Sequence, residues 1–195
     1  MLEDKPSVVR RIILDTPGRH FWSVVALGSS KGALDVSIEA PGVEFVLNAV
    51  FVCSAEDVVD VKVNLVHAVG GSSSRQLVKG VAGGNSRVDF NGLVKVAPDA
   101  QKTDASQTSA TLLLSEGACV QTSPQLEIYA DDVKCSHGAA VGNLDENEQF
   151  YMRSRGISLK EARRLQIQSF IAPVEEGLPD DLRRRIDGAV SALCG

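Results

Sequence analysis

The sequence predicts an all-β body followed by a short α-helical tail. Three observations carry that prediction. Apolar and polar residues alternate with a period of two, most clearly where Val59, Val61, Val63 and Leu65 are set against Asp60, Lys62 and Asn64. Turn clusters recur every roughly 8–14 residues, as in Gly28-Ser29-Ser30-Lys31-Gly32 and Gly70-Gly71-Ser72-Ser73-Ser74. Nothing before residue 144 has a helical period, and the pattern changes after it. The composition agrees: 44% of the chain is hydrophobic but only 5% is aromatic, so Val, Ala, Leu and Ile must build the core, which suits short strands in thin layers.

In order, strands are predicted over Val8–Leu14, Phe21–Leu27, Ala33–Glu39, Val43–Phe51, Val58–Ala68, Arg75–Ala82, Arg87–Val96, Thr111–Leu114 and Leu126–Cys135. Strands at this spacing with no helix between them fit a sandwich, a barrel or a parallel β-helix. Two features lean toward the solenoid. Charges such as Lys62, Asp89 and Lys95 sit mid-strand on the outward side, and the turns are irregular in length, where sandwiches favour tight two-residue hairpins. By pattern alone the sandwich remains the default.

The helical grammar begins at Asp145, which with Glu148 makes a box-like N-cap, and the helix it starts ends at Gly156. Ser158 and Glu161 form a second capping box. The helix that follows carries Leu159, Ala162, Leu165 and Phe170 near one face and is expected to stop before Pro173. A third helix is expected from Pro179, with Leu182, Ile186, Val190 and Leu193 at helical spacing.

Several function classes lose support. A net charge of −5 with scattered basic residues argues against a nucleic-acid surface. No apolar run approaches the roughly 20 residues needed to span a bilayer, and MLEDKPSVVRRI has no apolar signal core, so a cytoplasmic location with reduced thiols is expected. Cys53, Cys119, Cys135 and Cys194 form no Cys-x-x-Cys. There is no phosphate-binding glycine loop and no nucleophile elbow. Asp131-Asp132 reads as a solvated strand end, Arg163-Arg164 and Arg183-Arg184-Arg185 as solvated helix faces, and His20 and His67 as structural.

Cys135-Ser136-His137-Gly138 is different. In an extended segment, residues two apart share a face, so Cys135 and His137 project a thiol and an imidazole together. Two donors do not close a metal site. The pair is either a strand end without a partner or half of a metal or iron–sulfur site completed by another chain.

The stretch LEIYADDVKCSHGAAVGNLDENEQFYMRSRGIS, with QKTDASQTSATLLLSEGACVQTSPQLEI upstream, resembles the carboxyl-terminal core of the SufB/SufD family of iron–sulfur cluster assembly proteins. YADDVKCSHGA places it on the SufD-like side. The likeness is good over roughly residues 85–172 and looser before; Ala140 departs from a common Thr, and the last helix diverges. The resemblance implies a right-handed parallel β-helix, a single-stranded solenoid, over residues 1–143, displacing the sandwich. It implies a helical region over 144–195 that docks the ATPase SufC. It also implies a non-catalytic scaffold subunit that pairs with SufB, helps build a nascent iron–sulfur cluster at the shared interface and supports iron acquisition. His137 matches the family's cluster-site histidine and Cys135 its neighbouring cysteine. The cluster would be transient and shared with SufB, with none expected in the isolated chain. The chain is short for the family, so a missing amino-terminal region is expected, as is a homodimer in isolation. No nucleic-acid or membrane partner is expected. The alternative is a metal-free structural or adaptor solenoid; an enzyme ranks last, for want of a nucleophile–base or paired-acid motif.

Overall fold

The computed structural model describes residues 8–194, and the expectation for the first seven residues lies outside them. Ten strands come first: β1 (Val8–Leu14), β2 (Gly18–Leu27), β3 (Ser30–Ile38), β4 (Val43–Cys53), β5 (Val58–His67), β6 (Ser73–Ala82), β7 (Arg87–Val96), β8 (Asp104–Leu113), β9 (Cys119–Ile128) and β10 (Lys134–Asn143). Three helices follow: α1 (Glu146–Ser154), α2 (Leu159–Glu175) and α3 (Asp180–Leu193).

The strands form two five-stranded sheets, β1-β3-β5-β7-β9 and β10-β8-β6-β4-β2. Every pairing is parallel. Each coil therefore gives one strand to each sheet, and the chain is a parallel β-solenoid, not a sandwich. Residues that meet across neighbouring coils lie about one coil apart in sequence, as with Asn64 and Asp35 at 29 residues or Gln107 and Gln76 at 31.

The two sheets differ on their outer faces, and the sequence shows why. The β1–β9 sheet alternates: in β5, Val59, Val61, Val63 and Leu65 are buried while Lys62 is exposed. Its wet face carries ladders between coils, such as Asn64 Nδ2 donating to Asp35 Oδ1 at 2.8 Å and Lys31 paired with Asp60 at 3.4 Å. The other sheet is apolar on both faces over part of β4, where Ala49, Val50, Phe51, Val52 and Cys53 are all buried. A strand covered on both sides reads as a continuous apolar run. What covers it is the helical tail: Ile167, Ile171 and Val174 of α2 and Ile186 and Val190 of α3 pack on Val50, Val52 and Val81. Each fully buried isoleucine contributes about 1.5–3 kcal/mol, so the helices are fixed to the solenoid wall.

Tight coil corners need particular backbones. Gly84 has φ +63°, and a β-carbon there would lie 2.6 Å from Ala55 N in the corner below, so only glycine fits.

The predicted elements are mostly recovered, with four differences. The strand expected at Thr111–Leu114 is the end of the longer β8. The strand expected at Leu126–Cys135 is two strands in different sheets, because a corner intervenes: Asp132 N donates to Gln101 Oε1 at 2.9 Å, Lys102 N to Asp132 O at 2.7 Å, and Lys102 pairs with the Asp132 carboxylate. Helix α2 runs through Pro173 to Glu175, because buried Ile171 and Val174 hold its last turn on the sheet. Pro179 caps α3 from outside as the N-cap, without a side-chain bond.

Candidate functional site on the last coil

Among the described residues, strand β10 is the outer edge of its sheet, hydrogen-bonded to β8 on one side only. Along it Cys135 is aligned with Ala105 and His137 with Gln107. Ala105 and Gln107 are buried inside the solenoid. Cys135 and His137 therefore continue two interior columns onto the last coil, where no further coil covers them. Cys135 is half-buried and packs against the main core and against the small cluster of Val96, Ala100 and Ala130. His137 is exposed. Burial pushes the Cys135 thiol above its ordinary range; a backbone hydrogen bond to Ala105 opposes this, and the Asp104 carboxylate adds to it. Such a thiol stays protonated until a cation arrives to favour the thiolate.

The donor set is incomplete. Among the described residues no group of three or more His, Cys, Asp or Glu is placed to hold a metal ion. A thiol and an imidazole suit iron and its sulfide clusters, but two donors fill half of a four-coordinate shell.

The remaining sequence candidates scatter. Asp131 and Asp132 are exposed at the corner before β10. Of the four cysteines, all unpaired, Cys53 is buried, Cys119 exposed, Cys194 half-buried. His20 Nε2 bonds the Thr16 carbonyl at 2.9 Å. His67 is wholly buried, with Nδ1 2.8 Å from Ser72 Oγ and Nε2 2.8 Å from Ser74 Oγ. Arg163 and Arg183–Arg185 are exposed, and Arg164 is paired with Glu161 at 2.9 Å through Nε.

Sequence reasoning passed over the pair behind His137. Gln107 Nε2 donates to Gln76 Oε1 at 2.9 Å inside the solenoid, both side chains being buried. The available signal was a glutamine at an inward position in each of two successive coils. Past the far end of β10, α1 starts at Asp145, whose carboxylate accepts from Asn147 N and Glu148 N. Gln166 Nε2 ties α1 to α2 through Asp145 O at 3.0 Å and Glu148 Oε2 at 2.8 Å. Phe150 and Tyr151 of α1 are 73% and 60% exposed.

Residues 7–170 match the family model described as SUF system FeS cluster assembly, SufBD core domain. The chain belongs to the SufBD core family. It is 45% identical over 135 residues to the iron–sulfur cluster assembly protein SufD of Escherichia coli, covering 69% of this chain and 32% of that protein. It is 39% identical over 174 residues to the chloroplastic protein ABCI7 of Arabidopsis thaliana, covering 84% and 36%. SufD of Bacillus subtilis is 40% identical over 115 residues, covering 59% of this chain and 26% of its own length. This SufBD core chain thus spans about a third of the length of the curated relatives it matches. The matched region contains the whole solenoid, the Cys135–His137 pair and most of the α2 helix. Among the described residues no helix is long and apolar enough to cross a membrane.

Proposed function

We propose that this chain is a non-catalytic, cytoplasmic scaffold subunit of SUF iron–sulfur cluster assembly. One observation carries the reading: Cys135 and His137 lie two residues apart on one face of an edge strand whose outer backbone edge pairs with no other strand among the described residues. The iron–sulfur cluster is cargo. His137 ligates iron through an unprotonated ring nitrogen, and Cys135 ligates iron or handles sulfur as the thiolate. The Cys135 thiol must give up its proton to bind, so loading releases a proton. The missing ligands come from a second chain, SufB, that lays its own edge strand along β10. Ten residues of edge with a single charge, Lys134, favour such pairing. The same edge supports a homodimer when SufB is absent.

The helical tail, residues 144–195, docks the ATPase SufC. Its exposed Phe150 and Tyr151 supply an apolar patch, and the α1–α2 helices are joined directly to the end of β10, so nucleotide-driven motion reaches the cluster edge through one short link.

The test is anaerobic reconstitution with ferrous iron and sulfide, of the chain alone and of its complex with SufB and SufC. Cluster absorbance in the complex and none in the isolated chain supports the shared site. An equally coloured isolated chain overturns the shared site, and a colourless complex supports a metal-free adaptor solenoid instead.

A further inference from the structure

Gln76, Gln107 and His137 form one column across β6, β8 and β10, each aligned with the next in the strand register. Gln107 Nε2 donates to Gln76 Oε1 at 2.9 Å. Gln107 Oε1 is buried and has no hydrogen-bond partner, although an unsatisfied buried amide oxygen is costly. A carboxamide carries its nitrogen and oxygen on opposite edges. With Nε2 committed to Gln76 on β6, Oε1 is the amide atom left free, and the next residue of the column, on β10, is His137. The amide cannot easily turn away, because it lies against the backbone of Gly92 in the opposite sheet, so close that a β-carbon there would come within 2.3 Å of Nε2.

We infer that Gln107, backed by Gln76, is a positioning residue for His137: its free oxygen accepts the ring N–H of His137 once a partner strand covers the edge. Neighbouring strands are about 4.8 Å apart, a gap that the two side chains bridge. One ring nitrogen is then held as the donor, and the other is left unprotonated and aimed outward at iron. Outer partners of this kind fix the tautomer and orientation of ligating histidines. The inference rests on the proposed ligand role of His137.

The test uses the complex with SufB and SufC, with 15N-histidine in this chain alone; the chain has three histidines, and His137→Ala assigns the resonance. In the wild type one neutral tautomer of His137 dominates. In Gln107→Met, which keeps the volume and removes the amide, both tautomers are populated and ferrous iron alone binds roughly ten-fold more weakly. Unchanged tautomer ratio and iron affinity in Gln107→Met overturn the inference. Should that variant fail to fold, an even tautomer mixture in the wild-type complex overturns it. If iron binding also survives His137→Ala, the ligand role itself falls, a different outcome from loss of the positioning alone.

Discussion

The side-chain amide of Gln107 occupies the space a side chain would need at Gly92: a β-carbon on Gly92 would lie 2.3 Å from Nε2 and 2.8 Å from Cδ of Gln107. The two residues face each other across the solenoid, one from each sheet. Gly92→Ala should destabilise the fold by about 1–3 kcal/mol through overpacking. In Gln107→Ala the same substitution should cost much less, and a double-mutant cycle by urea unfolding reads the coupling directly. Additive losses would mean the amide does not fill that space.

His67 sets an acid limit on stability. Burial lowers its pKa from the ordinary 6.5 to about 4, because the charged ring would lose its water; the ring sits between two serine hydroxyls. Between those values the unfolded chain binds the proton and the folded chain does not. The stability contributed by neutral His67 is therefore complete above pH 6.5, falls as pH drops, and is lost by about pH 4. At about 1.4 kcal/mol per pK unit, the loss is roughly 3 kcal/mol. Unfolding free energies of the wild type should fall more steeply from pH 7 to 4 than those of His67→Gln.

The thiols should react in order of access. Cys119 is exposed and Cys53 is buried, with its pKa pushed up to about 12 by burial and by the charge of Asp57. Alkylation followed by mass spectrometry should label Cys119 first and Cys53 only on unfolding. Cys135 should react in the isolated monomer and become protected when a partner chain pairs with β10.

Phe150 offers a test of the helical surface. At 73% exposure its replacement should hardly touch the fold, so Phe150→Asp is expected to melt within about 0.5 kcal/mol of the wild type. If α1 is the contact for SufC, the same change should weaken that binding by 1–2 kcal/mol or more, by roughly ten-fold or above. Calorimetry of the two proteins measures it.

Much of this architecture was legible in the residues, for identifiable reasons. The β5 alternation exposes its buried face because one side of that sheet is wet. The caps at Asp145 and Ser158 mark helices because orphan N–H groups demand those side chains. Period-2 patterning could not tell parallel coils from antiparallel sheets, since both bury alternate residues; the resemblance decided that. Strand β10 was missed beyond Cys135 because Gly138-Ala139-Ala140-Val141-Gly142 has little intrinsic strand preference, and its extended form comes from pairing with β8. Asn91-Gly92 is a favoured hairpin dipeptide by type, yet it lies in the middle of β7, where Gly92 makes room for Gln107. The Cys135–His137 pair was readable because a spacing of two needs only an extended backbone. The glutamines behind it were not, because inward-facing polar residues look like a wet face until the opposite sheet is in place.

The central claim is that His137 and Cys135 form half of a cluster site shared with a partner chain. The most direct measurement is anaerobic cluster reconstitution on the complex with SufB and SufC, comparing wild type with His137→Ala. Size-exclusion chromatography should show that both complexes assemble alike. The expected result is loss of the iron–sulfide absorbance in His137→Ala at unchanged assembly. Clusters forming to the same yield on the variant would contradict the claim.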